Sequence, residues 1–290
     1  MKLLVFEKEQ GTKRIGKLVN ETSVLDLTSL AKDSNITFNY SDIGDILKCQ
    51  EGLKKVSELV EKWEQNKKYL LDLSEVKIGI PIKNPNNILC AALNYRDFCE
   101  RGNIPIPEKL KIFGKIASTV NGTECEVFTN GHNVTYEGEL GVVISKKGKN
   151  ISAKDAFDYI AGYMVVNDFT ANDCVKEDIQ LFRGKNFDTF FPEGPYFVTK
   201  DEIEDPDNLN IRTLVNGEVR QDSNTENLIF KIGDLIEYFS SFITLEPGDI
   251  IASGTPAGTA LQFEPPSFVK PGDVVEVTID NLGTLTSNIK

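Results

Sequence analysis

The sequence predicts a mainly β protein of the α+β class. Two observations carry that expectation. Short runs of β-branched and aromatic residues, bounded by Gly, Pro, Asn or Asp, recur along the 290 residues, the mark of strands separated by turns. Stretches with helical spacing are few and do not alternate regularly with the strands. No internal repeat or low-complexity tract interrupts the pattern, so a βαβ arrangement is set aside.

In chain order, residues 1–28 hold three short strands: Leu3-Leu4-Val5-Phe6, Ile15-Gly16-Lys17-Leu18-Val19 and Val24-Leu25-Asp26-Leu27. Ser41-Asp42 can cap a helix running towards Cys49, because such side chains satisfy the free N–H groups of a first turn. Leu53, Val56, Val60 and Trp63 recur at helical spacing and predict a packing face. Composition then shifts towards strand and turn at Val76-Lys77-Ile78-Gly79-Ile80-Pro81. The shift places a boundary near residue 75, between a small domain of residues 1–75 and a larger one of residues 76–290.

In the larger domain, Asn86 to Leu93 is a short buried strand running into the polar Asn94-Tyr95-Arg96-Asp97. Ser152 to Ile160 reads as a short helix with Ser152 as its cap. Arg183 to Asp188 is a polar loop, and Gly194 opens another strand. Asn216-Gly217 is a hairpin turn, and Leu228 to Phe242 a helix. Ser253-Gly254-Thr255-Pro256-Ala257-Gly258 is glycine-rich but lacks the lysine and spacing of a phosphate-binding loop. Pro271-Gly272-Asp273 turns into a final strand pair, Val274 to Ile279 and Leu282 to Asn288.

The charge is strongly acidic, with 44 Asp and Glu against 32 Lys and Arg. Neither nucleic acid nor an anionic membrane is expected as a partner, since both need a basic surface. No apolar run approaches the ~20 residues that span a bilayer. The N-terminus meets Glu7 too early for a signal peptide. Cys49, Cys90, Cys99, Cys125 and Cys174 show no paired spacing and read as reduced thiols of a cytoplasmic protein. Zinc held by cysteines is not expected. The sole histidine, His132, lies in a turn, where such residues are usually solvated.

The chemistry centres on Tyr136-Glu137-Gly138-Glu139-Leu140-Gly141-Val142-Val143-Ile144. In a strand, residues two apart share a face, so Glu137 and Glu139 stand side by side. Like charges that close call for a cation or a proton between them. A second apolar run, Ala161 to Val166, ends in Asn167-Asp168, and a carboxylate there is costly unless paired, protonated or metal-bound. Three carboxylates on two strands could hold a hard divalent ion. The alternative is a solvated face of an acidic protein.

The order of motifs resembles the fumarylacetoacetate hydrolase family over about residues 76–290. The matching pieces are Leu93 to Asp97, Tyr136 to Leu140, Ala161 to Asp168, Arg183 to Phe190, Gly194-Pro195, Val215 to Glu218, Leu245 to Asp249 and Ser253 to Pro256. Asn94 to Gly122 looks most like the branch of fumarylacetoacetate hydrolase domain-containing protein 2. The resemblance implies a mixed β-sandwich roll with a small N-terminal β/α domain, assembled as a homodimer. It implies a divalent cation on Glu137, Glu139 and Asp168, with Asp97 as a further ligand. Mg²⁺ is the foremost candidate, Mn²⁺ or Ca²⁺ the alternatives. Lys115 and Lys185 match family lysines near the metal and would favour a small anionic oxo-acid. Tyr95, Asp188 and Thr255 fall in matched motifs and are the candidate substrate-binding residues.

Family enzymes cleave C–C bonds of 1,3-diketo acids, or decarboxylate, isomerise or hydrate related oxo-acids. Most carry a water-activating His and Glu just after the Asn-Tyr-x-Asp run. Here Phe98 and Arg101 stand there, and neither is a general base near neutral pH. The hydrolase that names the family places its His farther on, about at Ile104. The family's Arg and Gln after the metal Asp are replaced by Asn172 and Val175. Glu100 is the neighbouring substitute base, and His132 a second. Two functions are therefore weighed. One is a metal-dependent hydrolase, decarboxylase or isomerase of a 2-oxo or 1,3-diketo acid, with hydrolysis disfavoured by the missing dyad. The other is a weakly active or inactive member that binds metal and an oxo-acid, or serves as an oligomeric structural partner.

Overall fold

The computed structural model describes residues 1–8, 11–63 and 67–290. It is an α+β fold, mainly β, built as two mixed sheets packed in a sandwich. The larger sheet runs in the order Leu70–Asp72, Ser23–Asp26, Lys13–Asn20, Lys2–Glu7, Phe191–Thr199, Ile160–Asn167, Gly138–Ile144, Ile250–Ala252, Ile88–Ala92 and Lys111–Lys115. The smaller runs Glu218–Asn224, Asn210–Val215, Val274–Ile279, Gly283–Ile289 and Cys125–Val127. The N-terminal strands extend the larger sheet directly, through Lys2 opposite Val198 and Leu3 opposite Phe197.

Alternation along Gly138–Ile144 divides the core. Leu140, Val142 and Ile144 point between the sheets, where they meet Ile211, Val277, Ile279 and Leu285 and the helix Ile232–Phe242. Val143 points the other way, into a core shared with Ile43, Ile46, Val56 and Leu59 of the N-terminal helices. Burying each such aliphatic side chain contributes about 1.5–3 kcal/mol. The sheets approach closely at Gly138: a Cβ there would sit 2.5 Å from Thr213 Oγ1 and 2.7 Å from Val277 Cγ1.

The hairpin at Asn216-Gly217 forms, with φ of 53° and 79°, the left-handed pair that a tight hairpin turn requires. Asp42 caps Ile43–Lys48, its Oδ1 accepting from Asp45 N at 3.0 Å. The apolar stripe lies on the helix Gly52–Trp63, and the side chain of Trp63 falls outside what is described. The helix expected over 152–160 shortens to a 3-10 turn, Ala156–Tyr159, because Ser152 Oγ bonds the Asp155 carboxylate at 2.7 Å instead of capping a first turn. Among the described residues, four helices arise where polar or unassigned segments were expected: Leu27–Asp33, Phe182–Lys185 at the start of the expected polar loop, Arg96–Arg101 and Asn172–Asp178. The last two border the site.

Candidate functional site

Strand register decides which carboxylates meet. Gly138 pairs with Asn167 and Glu139 with Val166 in antiparallel ladders. One step further the Asp168 N–H donates to the Glu137 carbonyl at 2.8 Å, so Asp168 faces Glu137, and Glu139 shares that face. Carboxylate oxygens of the three residues all lie within 4.8 Å of one another.

Two lysines relieve the repulsion. Lys115 Nζ lies 2.7 Å from Asp168 Oδ1 and also donates to the Lys185 carbonyl. Lys185 Nζ bridges Asp168 Oδ2 at 2.6 Å and Glu137 Oε2 at 2.9 Å. Thr170 Oγ1 donates to Glu137 Oε1 at 2.8 Å, and the Gly254 N–H to Glu139 Oε2 at 2.8 Å. Gly254 has φ 97°, and a Cβ there would crowd Asn94, so a glycine is needed to bring this N–H to the carboxylate.

Ionisation follows from these partners. Burial opposes charge on Asp168, but the Lys115 and Lys185 ammoniums outweigh it and hold the carboxyl below its ordinary range. Burial raises Glu137, with Lys185 offsetting part. Burial, reinforced by the Asp168 charge, pushes Glu139 well above the usual carboxylate range. Burial also lowers Lys115 despite Asp168, whereas the carboxylates around Lys185 override burial and raise it. A site that already stabilises bridging positive charge with oxygen-only donors fits a hard divalent ion.

Above the carboxylates opens a cavity of about 490 Å³, lined by Glu137, Glu139, Lys185 and Thr255 together with Phe98, Ile104, Asn172, Val175, Leu181 and Leu261. Phe98, Ile104, Asn172 and Val175, the uncharged residues read from the sequence as departures from the resembled pattern, all line it. The helices Arg96–Arg101 and Asn172–Asp178 position Phe98 and Val175.

The other expected site residues are placed as follows. Lys115 is fully buried and supports Asp168 without lining the cavity. Asp97 stands outside the carboxylate group. Its oxygens accept from Ser223 Oγ at 2.6 Å and from the Phe98 N–H at 2.7 Å. Thr255 lines the cavity, but its hydroxyl donates to the Gly138 carbonyl at 3.0 Å and accepts from Gln221 Nε2 at 2.8 Å. Tyr95 is buried, with no hydroxyl partner among the described residues. Asp188 and Glu100 are exposed. Arg101 donates to the Gln262 carbonyl at 3.3 Å and lies over the Phe263 ring. His132 lies on Asp173, its Nδ1 2.8 Å from Oδ2. Sequence reasoning missed Thr170, Gly254 and Gln221: Thr170 lies two residues after Asp168 and Gly254 directly before Thr255, where proximity to the candidates was the available signal, whereas Gln221 reaches the site only across the fold.

Residues 87–290 match the family described as fumarylacetoacetate (FAA) hydrolase C-terminal. An uncharacterized protein of Staphylococcus aureus (strain USA300) is 39% identical over the whole chain and 99% of its own length. The fumarylacetoacetate hydrolase structure from Exiguobacterium antarcticum is 29% identical, with a TM-score of 0.83 over 100% of this chain and 99% of that one. Maleylpyruvate hydrolase from Sphingobium sp. SYK-6, in complex with manganese(II) ion and pyruvate, is 26% identical, with a TM-score of 0.79 over 100% and 98%.

Proposed function

The chain belongs to the fumarylacetoacetate hydrolase family, an enzyme family acting on small oxo-acids, and from that premise we propose that it is a divalent-metal-dependent enzyme acting on a 2-oxo or 1,3-diketo acid with an uncharged tail. The observation that carries this reading is the convergence of Phe98, Ile104, Asn172 and Val175 on a cavity that also exposes Glu137, Glu139 and Lys185. The acid head is met by charge, and the remaining wall is mostly uncharged, with Phe98, Ile104, Val175, Leu181 and Leu261 apolar, Asn172 polar and Lys111 a further cation on the lining.

Glu137, Glu139 and Asp168 would hold Mg²⁺ or Mn²⁺, which when bound polarises the carbonyl of a chelating oxo-acid. Lys115 keeps Asp168 ionised and in place. Lys185 presents an ammonium to the cavity, where it can orient a substrate carboxylate. Phe98 excludes water where a general base would otherwise stand. Glu100 is exposed and His132 is engaged by Asp173, so neither is poised to take over. Decarboxylation or tautomerisation therefore fits better than hydrolysis, because neither requires an activated water. We place the chain nearest the domain-containing protein 2 branch, on Asn94 to Gly122, and expect a cytoplasmic homodimer, which light scattering at micromolar concentration checks.

Purified protein with Mg²⁺ or Mn²⁺, assayed against oxaloacetate and acylpyruvates beside Glu139→Ala, tests the proposal. Metal-dependent turnover lost in the variant supports an enzyme. No turnover, with oxo-acid binding retained, favours the non-catalytic reading. Phe98→His with Arg101→Glu should raise acylpyruvate hydrolysis by about 10²–10⁴-fold, the usual contribution of a positioned base. Parent hydrolysis at ordinary enzymatic rates, insensitive to Glu100→Ala and His132→Ala, would sink that part.

A further inference from the structure

The helix Asn172–Asp178 has two working sides. Asn172 and Val175 line the cavity. Asp173 and Cys174 turn instead to His132, in the loop ahead of the Glu137 strand. Asp173 Oδ2 lies 2.8 Å from His132 Nδ1, and Cys174 Sγ lies 3.5 Å from the same nitrogen. The three donor atoms fall within 4.8 Å of one another. Cys174 is a free, buried thiol, while His132 and Asp173 are partly open to solvent.

A His–Asp hydrogen bond that pins the loop to the helix accounts for two of these groups, and packing with Val134, Tyr136 and Phe169 accounts for the burial of Cys174, but neither accounts for its sulfur standing 3.5 Å from the nitrogen that Asp173 engages. Nor does the arrangement suit a nucleophile, base and orienting acid, for which Cys and Asp must engage opposite ring nitrogens. Here both converge on Nδ1, as they would around a common ion. We infer that His132, Asp173 and Cys174 form a second metal site, selective for a borderline-soft ion of the zinc class and separate from the carboxylate centre.

The geometry and the donor chemistry agree. Bonds of about 2.0–2.1 Å to imidazole nitrogen and about 2.3 Å to thiolate at a tetrahedral ion put those two donors about 3.5 Å apart, the separation found. The Asp173 oxygen, drawn close by its hydrogen bond, needs to move out by about half an ångström to match. Neutral imidazole, carboxylate and thiolate balance the charge of a divalent ion. The thiol proton leaves to solvent on binding, and the ring keeps its proton on Nε2. The exposed side leaves a fourth position for water. Nitrogen and sulfur donors prefer zinc or cobalt over magnesium, whereas Glu137, Glu139 and Asp168 offer oxygen alone. An ion here would brace, from its outer side, the helix that supplies Asn172 and Val175 to the cavity.

Titration of the full-length, reduced protein with Co²⁺ tests the inference, because only a thiolate ligand gives a sulfur-to-cobalt charge-transfer band. The band should saturate at one equivalent, persist in Glu139→Ala, and be lost in both Cys174→Ser and His132→Ala. Zinc affinity, measured by chelator competition, should fall in those two variants by more than the ~10–100-fold that loss of an outer partner costs. Absence of the band in the parent protein overturns the site without recourse to any variant. Survival of the band in both variants, or its loss in Glu139→Ala, overturns it equally. Circular dichroism confirms that each variant compared is folded.

Discussion

Glu139 and Glu193 occupy one rung of the larger sheet. Glu139 pairs with Val166, and Val166 with Glu193 on its other side, so the two carboxyls share a face about 10 Å apart. Both are fully buried, and burial pushes both well above the usual carboxylate range. Their surroundings differ. Glu139 belongs to a group threaded by two ammoniums, in which Asp168 stays ionised. Glu193 accepts one hydrogen bond, from the Ile82 N–H at 2.6 Å, and its other oxygen has no partner among the described residues. Burial alone keeps a carboxyl protonated, and burial with paired lysines builds a stable anionic centre. The same strand rung thus carries a candidate metal-binding cluster at one end and a lone buried carboxyl at the other.

Lys115 is where this contrast breaks most readily. Removing one partner from a buried ion pair leaves uncompensated charge, so Lys115→Met should cost the metal-free protein about 3–5 kcal/mol. Urea unfolding in the presence of a chelator measures it. A loss no larger than the ~1 kcal/mol of an ordinary hydrogen bond would mean that Lys185 alone sustains Asp168.

Metal addition sharpens the contrast next. At about a hundredfold excess over Kd, Mn²⁺ or Mg²⁺ should stabilise the parent protein by about 2.7 kcal/mol and leave Glu139→Ala unchanged. Glu193→Gln should keep the full metal response. Equal stabilisation of the parent and Glu139→Ala in thermal unfolding would remove Glu139 from the ligand set.

Glu193 predicts a pH effect of opposite origin. Its folded pKa lies above the unfolded value of about 4.3, so the native state holds the proton more tightly. That contribution is complete below about pH 4.3 and is lost as pH rises towards the folded pKa. Glu193→Gln, which cannot titrate, should therefore gain on the parent by about 1.4 kcal/mol per pH unit across that window. Parallel stability curves for the two proteins would show that Glu193 ionises freely. The smallest effect is expected from Thr170→Val, which removes one donor to Glu137 and should cost about 1 kcal/mol in chemical unfolding; a change of sign would point to relief of strain at Glu137.

Much of the fold is legible in the order of residues. The Asn216-Gly217 turn, the final strand pair, the Asp42 cap and the strand of Glu137 and Glu139 each rest on local stereochemistry that the chain carries with it. The helices Arg96–Arg101 and Asn172–Asp178 are not legible in this way. They are short and polar, and they are held by packing against the sheet rather than by periodicity or capping side chains; neither has a side-chain cap bond. They nevertheless decide that Phe98 and Val175 face the cavity and that Cys174 faces His132. The expectation that no zinc is held by cysteines rested on the absence of paired spacing, which sees neighbours in sequence only.

By itself, then, the sequence determined the carriers of the chemistry: two carboxylates spaced to share a strand face, a third at a strand end, and an order of motifs that resembles one family. Alternation of side chains and turn stereochemistry act over a few residues, so they are written locally. Tertiary structure alone decided which groups meet. Strand register set Asp168 opposite Glu137, and strand pairing and helix packing brought in Lys115, Lys185 and the Gly254 N–H. Those contacts join residues far apart in the chain, and their energies depend on burial and on every charge nearby, which no local spacing records.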